Sequence, residues 1–266
     1  MCFIFFIRLI ESFKLLLFQM KTKKIISLKK YNIKKLYWEK KLFENKELKD
    51  LSKKTFLKAY KLRLSYLNTW MNEPILQTSD DILALQEIIY NTKPEVIIEV
   101  GVCWGGSILF YDQMAKVVNI KKIIGVDTYI PGDLKKRIFK KVDRKKVLLL
   151  NGLSTEERII NYIKKITKKY KNFMIHLDSD HTYQNVLKEL NIYSKFLNKN
   201  DYLIVGDTIV NRIPTQKQWI RKWNKDDNPE TALKEFLKKN KGFKIDKRIN
   251  YKQIITHNPG GYIRKI

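Results

Sequence analysis

Three aspartates and one histidine carry the residue types and spacing for shared chemistry: Asp127, Asp178, Asp207 and His181. Each aspartate closes or follows within two residues a short, largely apolar run, at 122–126, 173–177 and 202–205. In a parallel sheet the C-terminal ends of the strands open onto one crevice, so the three carboxylates would converge there. Such a set suits a hard, oxygen-seeking cation such as magnesium. His181, three residues beyond Asp178, would then lie within reach of a cation-bound hydroxyl and could take its proton. Taken singly, each residue has a plainer role: Asp178 and Asp207 as loop caps, Asp180 as a solvated acid, His181 as a structural imidazole.

These residues need elements to hold them, and the organising stretch is IIEVGVCWGGS at 97–107. The run 96–100 reads as a strand ending in an acid. Gly101 and the Gly105-Gly106 pair then turn the chain into a helical pattern that begins near Ser107. Glycine lets the backbone take positive φ and lets a ligand lie directly on it. Free N–H groups at the helix start suit anionic or polar ligand atoms. An ordinary strand-to-helix turn is the other reading of this stretch alone. Asp127 at the tip of the next strand shifts the balance, because an acid there can accept both hydroxyls of a ribose. Further strands are expected at 146–150, 173–177 and 202–205, with helices at 108–118, from near Thr155, and at 184–196. Gly152 and Ser154 fall where a nucleoside base would lie, although Ser154 or Thr155 could equally cap the helix that follows.

Upstream, Ser79 or Asp80 is expected to cap a helix that ends before Pro94. Residues 21–66 are lysine-rich, with apolar residues at helical intervals, and read as helices packed on the edge of the later domain. Residues 1–20 are the most apolar part, interrupted by Arg8, Glu11 and Lys14. They fall short of a spanning helix. Two readings remain open: an interfacial helix on an anionic membrane, or a true start at Met20. The expected organisation is therefore 1–20 as an apolar segment, 21–69 as a helical extension and 70–266 as the main domain.

The formal charge is +27 over 266 residues. Such a charge ordinarily points to nucleic acid or an anionic membrane. The excess is almost all lysine spread along the chain, which fits a compositional bias at least as well as a binding patch. Cys2 and Cys103 stand far apart, so a structural disulfide is not expected and a cytoplasmic setting fits.

The motifs TWMNEPILQTSDDILALQEIIY, KPEVIIEVGVCWGGS, IIGVDTY, HLDSDHTYQNVLKEL, YLIVGDT, DNPETALKEFL and NPGGYIRKI occur in that order from Thr69 onward. On these motifs the chain resembles the cephalosporin hydroxylase family, which also takes in rhamnosyl O-methyltransferases. The resemblance implies a Rossmann-like class I methyltransferase fold: α/β, a seven-stranded mostly parallel sheet with helices on both faces, its last strands at 243–248 and 261–266. It implies S-adenosylmethionine as cofactor, with Glu99, Gly101, Gly105 and Ser107 at the methionine end, Asp127 on the ribose, and Asp178 shared between cofactor and metal. Asp178 and Asp207 match the metal ligands and His181 the general base. Gly206 departs from the acid or amide often found beside the second metal aspartate, so Thr208 or Asp180 is expected to supply the missing oxygen to Mg2+. The expected reaction is methyl transfer to a hydroxyl of a sugar or related small molecule, in a homo-oligomer, with the N-terminus at the inner membrane face. A nucleic-acid methyltransferase and a non-catalytic basic membrane-surface protein are the alternatives; no RNA-binding appendage or base-methylating Asn-Pro-Pro-Tyr motif favours the first. His176, His181 and His257 suggest no shared iron site.

Overall fold

The computed structural model describes residues 27–213 and 223–266. The sequence readings on 1–20 and the choice between Met1 and Met20 lie outside the described residues. The chain divides into two compact units, Met1–Glu44 and Asn45–Ile266. Within the first, α1 (Leu28–Glu44) carries an edge-on contact between Tyr31 and Trp38 and an i,i+4 ion pair between Lys35 and Glu39. Among the described residues no helix is long and apolar enough to cross a membrane.

The second unit begins with α2 (Lys46–Lys61), capped by the Asn45 side chain. Its Phe56 is buried against Ile209, Val210 and Ile213, the residues that follow Asp207. A two-residue hairpin pairs Thr69–Trp70 with Glu73–Pro74 and sets the Trp70 ring edge-on to Phe110. Then come α3 (Ser79–Thr92), β1 (Val96–Val100), α4 (Gly106–Val118), β2 (Lys122–Asp127), α5 (Gly132–Phe139), β3 (Val147–Asn151), α6 (Glu157–Thr167) and β4 (Phe173–Leu177). The remainder is α7 (Tyr183–Tyr193), β5 (Tyr202–Val205), α8 (Pro229–Lys239), β6 (Phe243–Ile245), α9 (Lys247–Tyr251) and β7 (Tyr262–Lys265).

The strands form one sheet in the order β3-β2-β1-β4-β5-β7-β6. The first five run parallel, and β7 inserts antiparallel to both β5 and β6. The order reverses at the β1/β4 boundary, which is where α/β sheets open a ligand crevice. Alternate β1 side chains serve opposite faces, as the twofold period of a strand requires. Ile97 joins a core with α3, α4 and α5, whereas Val96, Ile98 and Val100 join one with α6, α7 and α8. All five β1 residues are buried, and each aliphatic one contributes about 1.5–3 kcal/mol.

Several local readings need correction. The cap of α3 is Thr78, whose hydroxyl accepts from the Asp81 N–H, rather than Ser79 or Asp80. Asp80 is engaged elsewhere, accepting the N–H groups of Ile254 and Ile255. Neither Ser154 nor Thr155 caps α6, which starts after Glu156 without a side-chain cap. The expected strand at 243–248 stops at Ile245 because Asp246 accepts the N–H groups of Arg248 and Ile249 and opens α9. Two buried polar ties close the unit. Glu73 of the hairpin pairs with Lys141 and Arg137. Asp81, fully buried, accepts from Gln253, Thr256, the His257 N–H and Tyr262.

Candidate functional site

The glycine turn sits where β1 gives way to α4. Gly101 has φ +96°, and a Cβ there would lie 2.0 Å from the Asp178 carbonyl oxygen, so only glycine lets the β1 and β4 ends approach this closely. Gly105 takes φ +79° against Ile138 of α5. Asp127, at the end of β2, folds its carboxylate back onto this turn. Oδ2 accepts from the N–H groups of Val102 and Cys103 at 2.8 and 3.0 Å, and Oδ1 accepts from the Tyr129 N–H at 3.1 Å. The carboxylate therefore shapes the loop as well as facing the pocket.

Glu99, the last but one residue of β1, is buried and accepts from the Ser107 hydroxyl at 2.7 Å. Burial pushes its carboxyl up to about 8, opposed by that hydroxyl and reinforced by Asp127. Beneath it His176 lies fully buried, its Nδ1 3.0 Å from the Tyr111 hydroxyl, and burial holds its imidazole down at about 4. On the β3 side, Gly152 and Ser154 line the pocket, but the Ser154 hydroxyl turns away from it and donates to Glu189 at 2.5 Å. Ser179 donates to the same carboxylate oxygen, joining the loops after β3 and β4.

Across the switch point stands the second group. One ligand atom each from Asp178, His181 and Asp207 falls within 4.8 Å of the others. His181 Nε2 lies 3.2 Å from Asp207 Oδ2, and the Trp223 ring packs edge-on to the imidazole at 5.0 Å. Asp207 occupies the left-handed region at φ +51°, which an aspartate tolerates better than most side chains. Burial, and then the nearby Asp207 carboxylate, raise Asp178 well above the usual carboxylate range. A divalent cation between the two would relieve that repulsion, so the pair fits magnesium: two carboxylates with open positions for substrate or water, and the His181 imidazole close by.

Thr208, expected among the metal ligands, is not brought to this cluster. It is fully buried and its hydroxyl donates to the Pro259 carbonyl at 3.0 Å. Asp180 is exposed and accepts from the Thr182 N–H. Gly206 has its own reason to be glycine, since a Cβ would sit 2.3 Å from Asp178 Oδ1. Sequence reasoning also missed Gln77, whose Nε2 donates to Asp178 Oδ2 at 3.0 Å from 101 residues away. Its only signal was its place just ahead of the α3 cap in a motif already singled out. Both halves line one pocket of about 870 Å³ that includes Glu99, Gly101, Ser107, Asp127, Asp178 and Asp207.

Known proteins show the same arrangement of chain. A family model described as rhamnosyl O-methyltransferase/CmcI matches residues 62–266. The rhamnosyl O-methyltransferase of Mycobacterium leprae (strain TN) is 32% identical over 149 residues, 55% of this chain and 62% of that protein. The rhamnosyl O-methyltransferase of Mycobacterium tuberculosis (strain ATCC 25618 / H37Rv) is 30% identical over 149 residues, 55% of this chain and 59% of that protein. The match thus spans about three-fifths of the length of these curated relatives. The solved CmcI-N160 apo structure shares the fold at a TM-score of 0.52 and 16% identity, covering 76% of this chain and 77% of that one. With the family model spanning the whole of the sheet and the site, the chain belongs to the rhamnosyl O-methyltransferase/CmcI family.

Proposed function

We propose that this protein transfers a methyl group from S-adenosylmethionine to a hydroxyl of a sugar or related small molecule, with magnesium assisting. The observation that carries the reading is one pocket with a glycine turn and Asp127 at one end and the Asp178, His181 and Asp207 cluster at the other. The names of the related proteins favour a rhamnosyl hydroxyl as acceptor. We assign Glu99, Gly101, Gly105 and Ser107 to the methionine end of the cofactor, Asp127 to its ribose, and the 152–154 loop to its base. Because the Ser154 hydroxyl is committed to Glu189, the base meets Gly152 and the loop backbone.

S-adenosylmethionine would supply an activated methyl on a sulfonium, and Asp178 and Asp207 would hold magnesium, which would supply a Lewis acid for the acceptor hydroxyl. The chain's own task is alignment. The turn and Asp127 fix the donor, and the Asp178–Asp207 pair fixes the acceptor oxygen in line with it. His181, packed edge-on to Trp223, takes the hydroxyl proton on its ring as the new C–O bond forms and the S–C bond breaks.

The lining favours a small neutral acceptor over nucleic acid. Among the described residues, Asp127, Asp133, Asp178, Asp180 and Asp207 face the pocket against a single Lys or Arg side chain, Arg137, whose charge is taken by Glu73 and Asp133. A phosphate backbone would be repelled there. The domain assignment offered with this reading keeps 70–266 as the catalytic part, with 1–20 and 21–69 as a basic, apolar lead-in. Six lysines among Tyr31, Leu36, Tyr37 and Trp38 in α1 support contact with an anionic membrane face, and a homo-oligomer is part of the same proposal. Retained co-sedimentation with anionic vesicles after removal of residues 1–44 would end the membrane part.

The deciding experiment is isothermal titration of S-adenosylmethionine with and without magnesium, followed by transfer of labelled methyl to rhamnose-bearing glycans. Saturable binding and a labelled methyl ether are the expected results. Absence of cofactor binding under both conditions would sink the enzyme reading.

A further inference from the structure

We propose that Gln77 is a positioning residue for the cation site, turning the Asp178 carboxylate so that one oxygen is locked and the other is free for the metal. The inference rests on the cofactor and cation reading above and deepens it.

Gln77 lies three residues beyond the hairpin and immediately before the α3 cap. Its backbone is fixed on both sides. The Asn68 side chain donates to the Gln77 carbonyl at 2.8 Å, and the Thr78 hydroxyl donates to the Ile255 carbonyl at 2.7 Å. The preceding residues lie directly on the glycine turn: a Cβ on Gly106 would meet the Pro74 carbonyl oxygen at 2.4 Å and Ile75 at 2.9 Å. The segment therefore has little freedom to shift.

The side chain is 4% exposed, and its Nε2 donates to Asp178 Oδ2 at 3.0 Å. The other oxygen, Oδ1, faces the gap left by Gly206. A hydrogen bond to Oδ2 biases the rotation of the carboxylate about its last bond and leaves Oδ1 beside Gly206, the residue before Asp207. Gln77 Oε1, by contrast, is buried with no hydrogen-bond partner among the described residues. An unpaired buried acceptor costs about 1–3 kcal/mol, so the amide's commitment to Asp178 is made at a cost to the fold. The neutral amide also suits the task. It donates one hydrogen bond without bringing a positive charge that would compete with the cation, as lysine or arginine would.

The test uses Gln77→Met, close in size but without the donor, and Gln77→Leu as a second apolar variant, both in the full chain. Magnesium affinity is read by competition against Mn2+ in electron paramagnetic resonance, with S-adenosylhomocysteine saturating. S-adenosylhomocysteine affinity is read separately in EDTA. Magnesium affinity should fall about 10- to 100-fold, the usual effect of removing a group that orients a ligand, while S-adenosylhomocysteine affinity in EDTA stays at the wild-type value. Wild-type magnesium affinity in a variant overturns the proposal. So does a parallel loss of both ligands, or a failure of both variants to fold, since either marks a merely structural residue. A wild-type protein that binds neither ligand overturns the functional reading itself, a result distinct from all of these.

Discussion

The two ends of the pocket are built by different means. The proposed cofactor end is backbone: a turn that only glycine can make, braced by Asp127 through the N–H groups of Val102 and Cys103. The proposed cation end is side chain: Asp178, His181 and Asp207, with Gln77 donating to Asp178, Trp223 packed on His181 and no Cβ at Gly206. A backbone-built site fails when atoms are added to it. A side-chain-built site fails when its groups are exchanged or turned, and the fold survives the loss.

The largest expected effect is on the backbone end. Gly101→Ala drives a Cβ into the Asp178 carbonyl at a positive φ and should cost about 3 kcal/mol or more of stability, read by denaturant unfolding. Near-normal stability would show that the turn has slack. At the cation end, His181→Gln should leave the melting temperature unchanged while kcat falls about 100-fold or more, the ordinary contribution of a general base. Lost magnesium affinity instead would make His181 a ligand. Gly206→Ala should keep the fold and weaken magnesium binding about 10-fold, because the new methyl displaces Asp178 Oδ1.

Two smaller effects sharpen the contrast. Glu99 ionises at about 8 in the folded chain against an ordinary 4.5, so the folded state holds an extra proton between those values. Its contribution to stability is therefore undiminished below 4.5 and is lost as pH rises toward 8. A cationic methyl donor beside Glu99 should expel that proton, so affinity should rise with pH from 6 to 8, with proton release seen by titration in buffers of different ionisation enthalpy. Glu99→Gln should abolish the pH dependence. Ser154→Ala should be the mildest, leaving cofactor affinity almost unchanged because its hydroxyl faces Glu189.

Much of this was legible because it is local. The strands at 96–100, 173–177 and 202–205 are largely apolar runs, broken only by Glu99 and His176, as buried parallel strands tend to be, and the glycine turn announces itself within eleven residues. The helix α5 was missed: it is short, lysine-rich and lacks a side-chain cap, and it is held instead by Leu134 and Ile138 in the core. Thr208 was misplaced because sequence adjacency to Asp207 says nothing of direction, and the left-handed turn at Asp207 sends its neighbour inward to Pro259. Gln77 was invisible because its partner is 101 residues away.

The buried carboxylate of Asp81 has one more consequence. It opens the helix that follows Gln77, yet Gln253, Thr256, His257 and Tyr262 supply its hydrogen bonds from the far end of the sequence. During synthesis the glycine turn, Asp127 and the first four strands leave the ribosome long before those donors exist. The cofactor end can thus take shape on the nascent chain, whereas the segment that carries Gln77 cannot settle until the last strand slides in beside β5.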